Sequence, residues 1–264
     1  MSTSIELFGV TLDYPVYSVR AQSLRSSMMK MAVGGRLMKD QRDIAVVRAL
    51  SNVAFKVQEG DRLGLIGHNG SGKTTLLKVL AGIYEPTEGV VDIQGRVTSM
   101  INLGAGLDPE ASGLQNIYNL ALMRLIRKSV IKERVPAIVE FSELGAFIDM
   151  PVKTYSAGMV ARLNFAVATE LAADILILDE WLGAGDASFK DKAGERMMNF
   201  VDSARLVVIA THDNALIQRV CNKVCVLDGG RMSYFGPMDE YFESIAEPAP
   251  SPSEAGPADQ IEAA

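Results

Sequence analysis

Apolar positions fall along the chain in two rhythms. Short, nearly continuous apolar runs occur at RLGLI (62–66), ILILD (175–179), RLVVIA (205–210) and KVCVLD (223–228). Between them the apolar residues take helical spacing. This predicts helices over Lys73–Ala81, from Ser156 to about Ala172, from Ser188 to about Asp202, and onward from Asp213. A strand that is apolar on successive residues has no solvent face, so helices must cover both sides of it. The expected fold is therefore α/β with a mainly parallel core sheet. Looser alternation in IELFGVTL (5–12), VAFKV (53–57), Val90–Ile93 and Val97–Ile101 predicts further strands, and an antiparallel β lobe is expected beside the core sheet. Residues 112–143 carry a helical pattern with a break expected near Pro136. They read as the heart of a helical lobe spanning about 104–172.

Two segments depart from this regularity. Residues 18–48 hold Arg20, Arg25, Lys30, Arg36, Lys39, Arg42 and Arg48 against Asp40 and Asp43, with Met28, Met29, Met31 and Met38 interspersed. A basic insertion at about 18–48 is expected, with an amphipathic helix over 18–33 and a break at Gly34–Gly35. Such a helix suits anionic headgroups or a partner, and it equally suits packing on the chain's own sheet. Residues 247–264 contain four prolines and four acids (Glu247, Glu254, Asp259, Glu262) and no base. That composition buries too little apolar surface to offset its ordering entropy, so a disordered tail is expected beyond a folded body over 1–246.

Charge and cysteine content narrow the function classes. The 264 residues carry a net charge of −6, and the tail supplies four of those charges. So acidic a chain is a poor general binder of nucleic acid, whose affinity comes mostly from Lys and Arg. Two cysteines make no disulfide framework, and Cys221 and Cys225 read as small buried residues rather than metal ligands. No run reaches the roughly 18–20 apolar residues of a membrane span, and the N-terminus has no secretory pattern. A cytoplasmic location is expected, with any membrane work done through a partner.

The chemistry gathers around GHNGSGKTT, which follows the 62–66 strand and opens a helix. It fits G-x-x-x-x-G-K-[ST] in the context that motif requires. Gly67, His68, Asn69, Gly70, Ser71, Gly72, Lys73, Thr74 and Thr75 would wrap a triphosphate, with backbone N–H groups at a positive helix end. Lys73 would reach the β- and γ-phosphates and Thr74 would take Mg²⁺. His68 sits at a variable position of that loop. The strand ILILDE ends in two carboxylates: Asp179 would hold Mg²⁺, and Glu180 would orient or deprotonate an attacking water. By itself an Asp–Glu pair at a strand end serves as well for capping a turn, and the nearby P-loop favours the catalytic reading.

YSAGMVARLNFAVAT (155–169) sets this chain apart from other P-loop proteins. It resembles the L-S-G-G-Q signature of the ABC (ATP-binding cassette) ATPases, with Tyr155, Ala157 and Met159 at the altered positions and Ser156 and Gly158 retained. A serine cap and a glycine at a helix N-terminus make an anion site. The resemblance covers about residues 5–245. It implies that Ser156–Met159 reach the nucleotide of a second copy, so that two nucleotides are sandwiched head to tail. It also implies a D-loop aspartate at Asp186, in GAGD (183–186), and a switch histidine at His212. For the aromatic that stacks on adenine it implies Tyr14, with Tyr17 as the other candidate. The family's Q-loop glutamine falls on Leu103, which cannot coordinate or donate, and Gln115 lies too far along to serve.

Three stretches are similar to the ATPase subunits of bacterial polysaccharide exporters: INLGAGLDPEASGLQNI, DEWLGAGDASFKDKA and the insertion after YPVY. That group moves lipid-linked O-antigen, capsule or teichoic-acid chains across the inner membrane. The resemblance implies ATP and Mg²⁺, integral membrane permease partners, and a place on the cytoplasmic face of that membrane. It also makes loop 104–110 a coupling surface. The competing expectations are an ABC ATPase for a drug, lipid or small solute, and a low-activity ATP-switched scaffold motivated by Leu103.

Overall fold

The computed structural model describes residues 2–16, 37–39, 45–101, 106–170, 173–180 and 187–246. Among these described residues ten strands form two sheets. The antiparallel sheet has the order β2–β3–β1–β5, built from β1 (Ser4–Val16), β2 (Leu37–Lys39), β3 (Ala45–Gln58) and β5 (Glu88–Gln94). The core sheet has the order β10–β9–β4–β8–β7–β6. It contains β4 (Arg62–Ile66), β6 (Val97–Ser99), β7 (Ile175–Asp179), β8 (Leu206–Ala210), β9 (Lys223–Asp228) and β10 (Arg231–Pro237). Its pairings are parallel except for β10 against β9.

Side-chain alternation along the parallel strands divides the interior into two cores. Ile175, Ile177, Leu206, Val208, Leu63 and Leu65 face one side. They pack there with Leu76, Leu77 and Leu80 of α1 (Lys73–Leu80) and with the antiparallel sheet. Leu176, Leu178, Val207 and Ile209 face the other. They meet α5 (Ala187–Ser203), α6 (Asn214–Val220) and the helical lobe. That lobe consists of α2 (Gly113–Met123), α3 (Lys128–Ser142), two short 3₁₀ turns over Gly145–Asp149 and Val152–Thr154, and α4 (Ala157–Glu170). Its Phe141 and Phe165 stack 5.9 Å apart beside Phe189 of α5. Each apolar run thus serves two layers, as its lack of a polar face requires.

Several boundaries differ from expectation. The helical lobe does not break at Pro136; α3 runs through it. The carbonyl left without its N–H partner belongs to Lys132, on the exposed side, while Ile131 and Ile138 anchor the buried face. The break falls instead at Leu125, where φ is 58°. There the amides of Leu125 and Ile126 return to the carbonyls of Leu122 and Ala121, at 2.9 and 3.0 Å, in a Schellman turn. β3 begins at Ala45 rather than Val53, so residues 45–48 of the basic insertion are strand. Arg48 belongs to that strand and forks onto Asp13 of β1 at 2.8 Å through both Nε and Nη2. β10 and the terminal helix α7 (Met238–Ala246) are further elements without a prediction. The expected helix over 18–33 and the tail over 247–264 lie outside the described residues.

Leu125 is 92% exposed, so its side chain contributes little packing to set against its left-handed backbone. Leu125→Gly is expected to raise stability by about 0.5–1 kcal/mol. Chemical denaturation checks this, and an unchanged or lower midpoint would contradict it.

Candidate functional site

The carboxyl ends of parallel strands β4, β7 and β8 open on one edge of the core sheet, where α/β folds commonly place their sites. β4 ends at Ile66 and feeds the loop 67–72 into α1. Gly72 caps that helix with φ 110° and without a side-chain hydrogen bond. At Gly67 an added Cβ would stand 2.3 Å from the Leu227 carbonyl oxygen and 2.5 Å from Ser71 Oγ, so only glycine fits. The Lys73 ammonium lies back along its own loop, donating to the carbonyls of Gly67 (2.6 Å) and His68 (3.1 Å).

β7 delivers the two carboxylates. Thr74 Oγ1 donates to Asp179 Oδ1 at 3.3 Å. A hydroxyl and a carboxylate side by side are hard oxygen donors, the set that suits Mg²⁺. No group of three or more His, Cys, Asp or Glu capable of holding a metal occurs among the described residues. A cation here would therefore share its coordination with substrate oxygens, as Mg²⁺ does at phosphate sites. Glu180 sits one residue on, at φ 66°, its amide fixed to the Ala210 carbonyl at 2.8 Å. A non-glycine residue held there stores strain, a feature that clusters at functional sites. Just beyond the end of β8, His212 Nδ1 stands 3.3 Å from Glu180 Oε1. Both side chains are mostly in water, 83% exposed for His212 and 68% for Glu180.

These groups meet in a cleft of about 540 Å³, a volume typical of a small-molecule site. Tyr14, Asn69, Gly70, Gly72, Lys73, Thr74, Thr75, Asp179, Glu180 and His212 all line it. Tyr14 stands edge-on to Tyr84, with ring centroids 5.5 Å apart, and burial raises its phenol pKa despite a hydrogen bond with Thr75. The adjacent Asp13 carboxyl is held below the usual range by its hydrogen bonds from Arg48, which clasps β1 to β3 beside the cleft. Three loop residues stand off the lining. Gly67 and Ser71 form the base of the loop, and His68 turns outward, with Nδ1 2.7 Å from the Asn69 oxygen and Nε2 3.1 Å from Asp228 Oδ1.

Ser156, Ala157, Gly158 and Met159 do not line the cleft either. They open α4, where Ser156 Oγ accepts from the Met159 amide at 3.2 Å, and Ser156, Ala157 and Gly158 are exposed. Gln115 is committed elsewhere, completing a capping box with Ser112 at the start of α2. Cys221 and Cys225 are buried, and burial pushes both thiols up to about 12, so they are protonated and unreactive at neutral pH. Leu103, Tyr17 and Asp186 lie outside the described residues.

The sequence did not point to Val47, Ala49, Ala210 or Thr211, which complete the cleft. The signal for the first two was the mostly apolar run AVVRALS (45–51), masked by the basic run before it. Gly230 was also missed. Its amide donates to the Ser71 carbonyl (2.8 Å), and its carbonyl accepts from the Ser51 amide (2.8 Å), so it ties loop 67–72 to β3.

A family profile described as ABC transporter matches residues 50–183. The O-antigen export system ATP-binding protein RfbE of Yersinia enterocolitica is 43% identical over 86% of this chain and 95% of its own length. RfbB of Myxococcus xanthus, an O-antigen export system ATP-binding protein, is 39% identical over 92% of this chain. The match spans 56% of that longer protein. The ATP-binding cassette MJ0796, solved as a dimer in a post-hydrolysis state bound to ADP and Pi, has the same fold. Its TM-score is 0.64 at 19% identity, covering 89% of this chain and 98% of that one.

A Cβ at Gly230 would stand 2.4 Å from the Ala49 carbonyl oxygen. Gly230→Ala is expected to lower ATP affinity at least roughly tenfold, about 1.4 kcal/mol, without touching the motif itself. Titration calorimetry checks this, and unchanged affinity would contradict it.

Proposed function

The chain belongs to the ABC transporter family, and from that premise we propose that it drives export of a lipid-linked polysaccharide of the O-antigen class across the inner membrane. It is an ATPase by that membership. Two copies clasp two nucleotides head to tail, each P-loop facing Ser156 and Gly158 of the other. The reading rests above all on the open cleft. Glu180 and His212 stand largely in water, while the exposed anion-binding end of α4 lies outside the cleft that its own chain forms. Two incomplete surfaces of complementary chemistry are what a head-to-tail pair would join.

Within that clasp the chain's own groups divide the work. Backbone amides of 69–74 and the N-terminus of α1 face the phosphate oxygens. Lys73 exchanges its two carbonyl partners for the β- and γ-phosphates. Thr74 and Asp179 hold Mg²⁺, which when bound supplies positive charge against the phosphates. Glu180 aligns a water with the γ-phosphorus and takes its proton on the carboxylate, and His212 orients Glu180 through their contact. The new P–O bond forms as the bond to the β-phosphate bridging oxygen breaks, giving ADP and phosphate. Covering the site by the second copy excludes competing water and strengthens each of these interactions.

No helix among the described residues is long and apolar enough to cross a membrane. The proposal places the chain on the cytoplasmic face of the inner membrane, bound to permease subunits that carry the pathway, in keeping with its export-system relatives. The O-antigen relatives support the substrate class.

Deleting the gene is expected to remove surface polysaccharide. Wild-type protein should restore it and Lys73→Ala should not. Immunoblotting of cell-surface polysaccharide checks this, and an unaltered surface in the deletion strain would overturn the proposed substrate.

A further inference from the structure

The loop that follows β6, the start of α2 and the turn before Ser156 are fastened together more densely than chain connectivity requires. Asn116 lies on α2, fully buried. Its Oδ1 accepts from the Asp108 amide (2.8 Å). Its Nδ2 donates to the carbonyls of Asp108 (2.9 Å), Ser112 (3.0 Å) and Ala111 (3.2 Å). The side-chain amide therefore fixes both ends of the 108–112 turn. That turn is in turn bound to the segment leading into α4. Val152 donates to the Ala111 carbonyl (3.0 Å), Lys153 donates to that of Pro109 (2.9 Å), and the Lys153 ammonium pairs with Glu110 (2.6 Å).

Tyr155 closes the assembly one residue before Ser156. Its hydroxyl donates to the Phe147 carbonyl at 2.6 Å, spanning the 3₁₀ turn. It fits because residue 113 has no side chain: a Cβ there would lie 2.3 Å from the Tyr155 oxygen. Asp108, Pro109 and Glu110 are exposed, as is Ser156, so two separate surface points are joined through a buried amide and a phenol.

We propose that Asn116 and Tyr155 are positioning residues for Ser156, welding loop 108–112 and turn 151–155 into one body that aims the α4 N-terminus at the nucleotide of the second copy. A load on the exposed loop would then move Ser156 directly, without deforming the chain's own P-loop. This rests on the reading of Ser156 as reaching the opposite nucleotide. Neither residue touches the cleft, so both act through α4 alone.

The test uses the full chain carrying Glu180→Gln, so that the closed dimer accumulates with ATP. Dimerisation is followed by light scattering, and the affinity of the monomer for ADP by calorimetry. Asn116→Ala and Tyr155→Phe are each expected to raise the dimer dissociation constant at least about tenfold, with ADP affinity within about twofold of the parent. Tyr155→Phe removes a single oxygen and keeps the packing. Asn116→Asp keeps the acceptor for Asp108, loses the donors, and is expected to share the defect. Equal losses of ADP affinity and dimerisation would mean general unfolding and would overturn the proposal. Ser156→Ala separates the two readings. If it dimerises like the parent, the in-trans signature is wrong. If it fails while Asn116→Ala and Tyr155→Phe dimerise normally, only the positioning role is wrong.

Discussion

Cleaving a phosphoanhydride requires charge to move inside a site from which bulk water is excluded. The carboxylate and imidazole at this cleft instead face solvent over most of their surface. An exposed Glu–His contact contributes little to stability, so this pair is not there to hold the fold. Its place at the mouth of the phosphate loop makes sense once something covers it. The exposed, serine-capped end of α4 has the right chemistry for that cover: a positive helix end meeting terminal phosphate charge. The molecule is thus arranged as two unfinished surfaces on one frame.

The frame follows from the apolar strands. Because β4, β7 and β8 bury both faces, they are held by two cores at once, and each loop of the cleft starts from a strand packed on both sides. Lys73, Asp179, Glu180 and His212 all lie at or just beyond those ends. The outer wall of the cleft comes from the antiparallel sheet, where Tyr14 pairs in register with Val47 and the Asp13–Arg48 fork closes the neighbouring position. Gly230 ties that wall to the floor, because only a residue without a side chain can sit against Ala49. A change in β3 therefore acts on the nucleotide loop through the backbone, not through any side chain that touches phosphate.

Much of this was legible in the sequence. The parallel strands declared themselves by lacking a polar face, and the phosphate loop by its spacing. The two carboxylates followed from their place at a strand end. What escaped notice did so for physical reasons. The first half of β3 carries Arg48, whose partner Asp13 is 35 residues away, so a local reading counted an unpaired charge. Pro136 looked like a breaker, yet the carbonyl it orphans faces water and costs the helix little. The actual break rests on Leu125 in a conformation that its residue type does not advertise. Gly230 and Asn116 matter through contacts made across the fold, which spacing along the chain does not encode.

The central claim is that each nucleotide lies between the P-loop of one copy and Ser156 of another. Mixing two inactive variants tests it most directly, one with Lys73→Ala and the other with Ser156→Arg. In a head-to-tail pair, one site of the mixed dimer inherits an intact P-loop and an intact signature, so ATP hydrolysis absent from either variant alone should return on mixing. A mixture as inactive as its components would contradict the account.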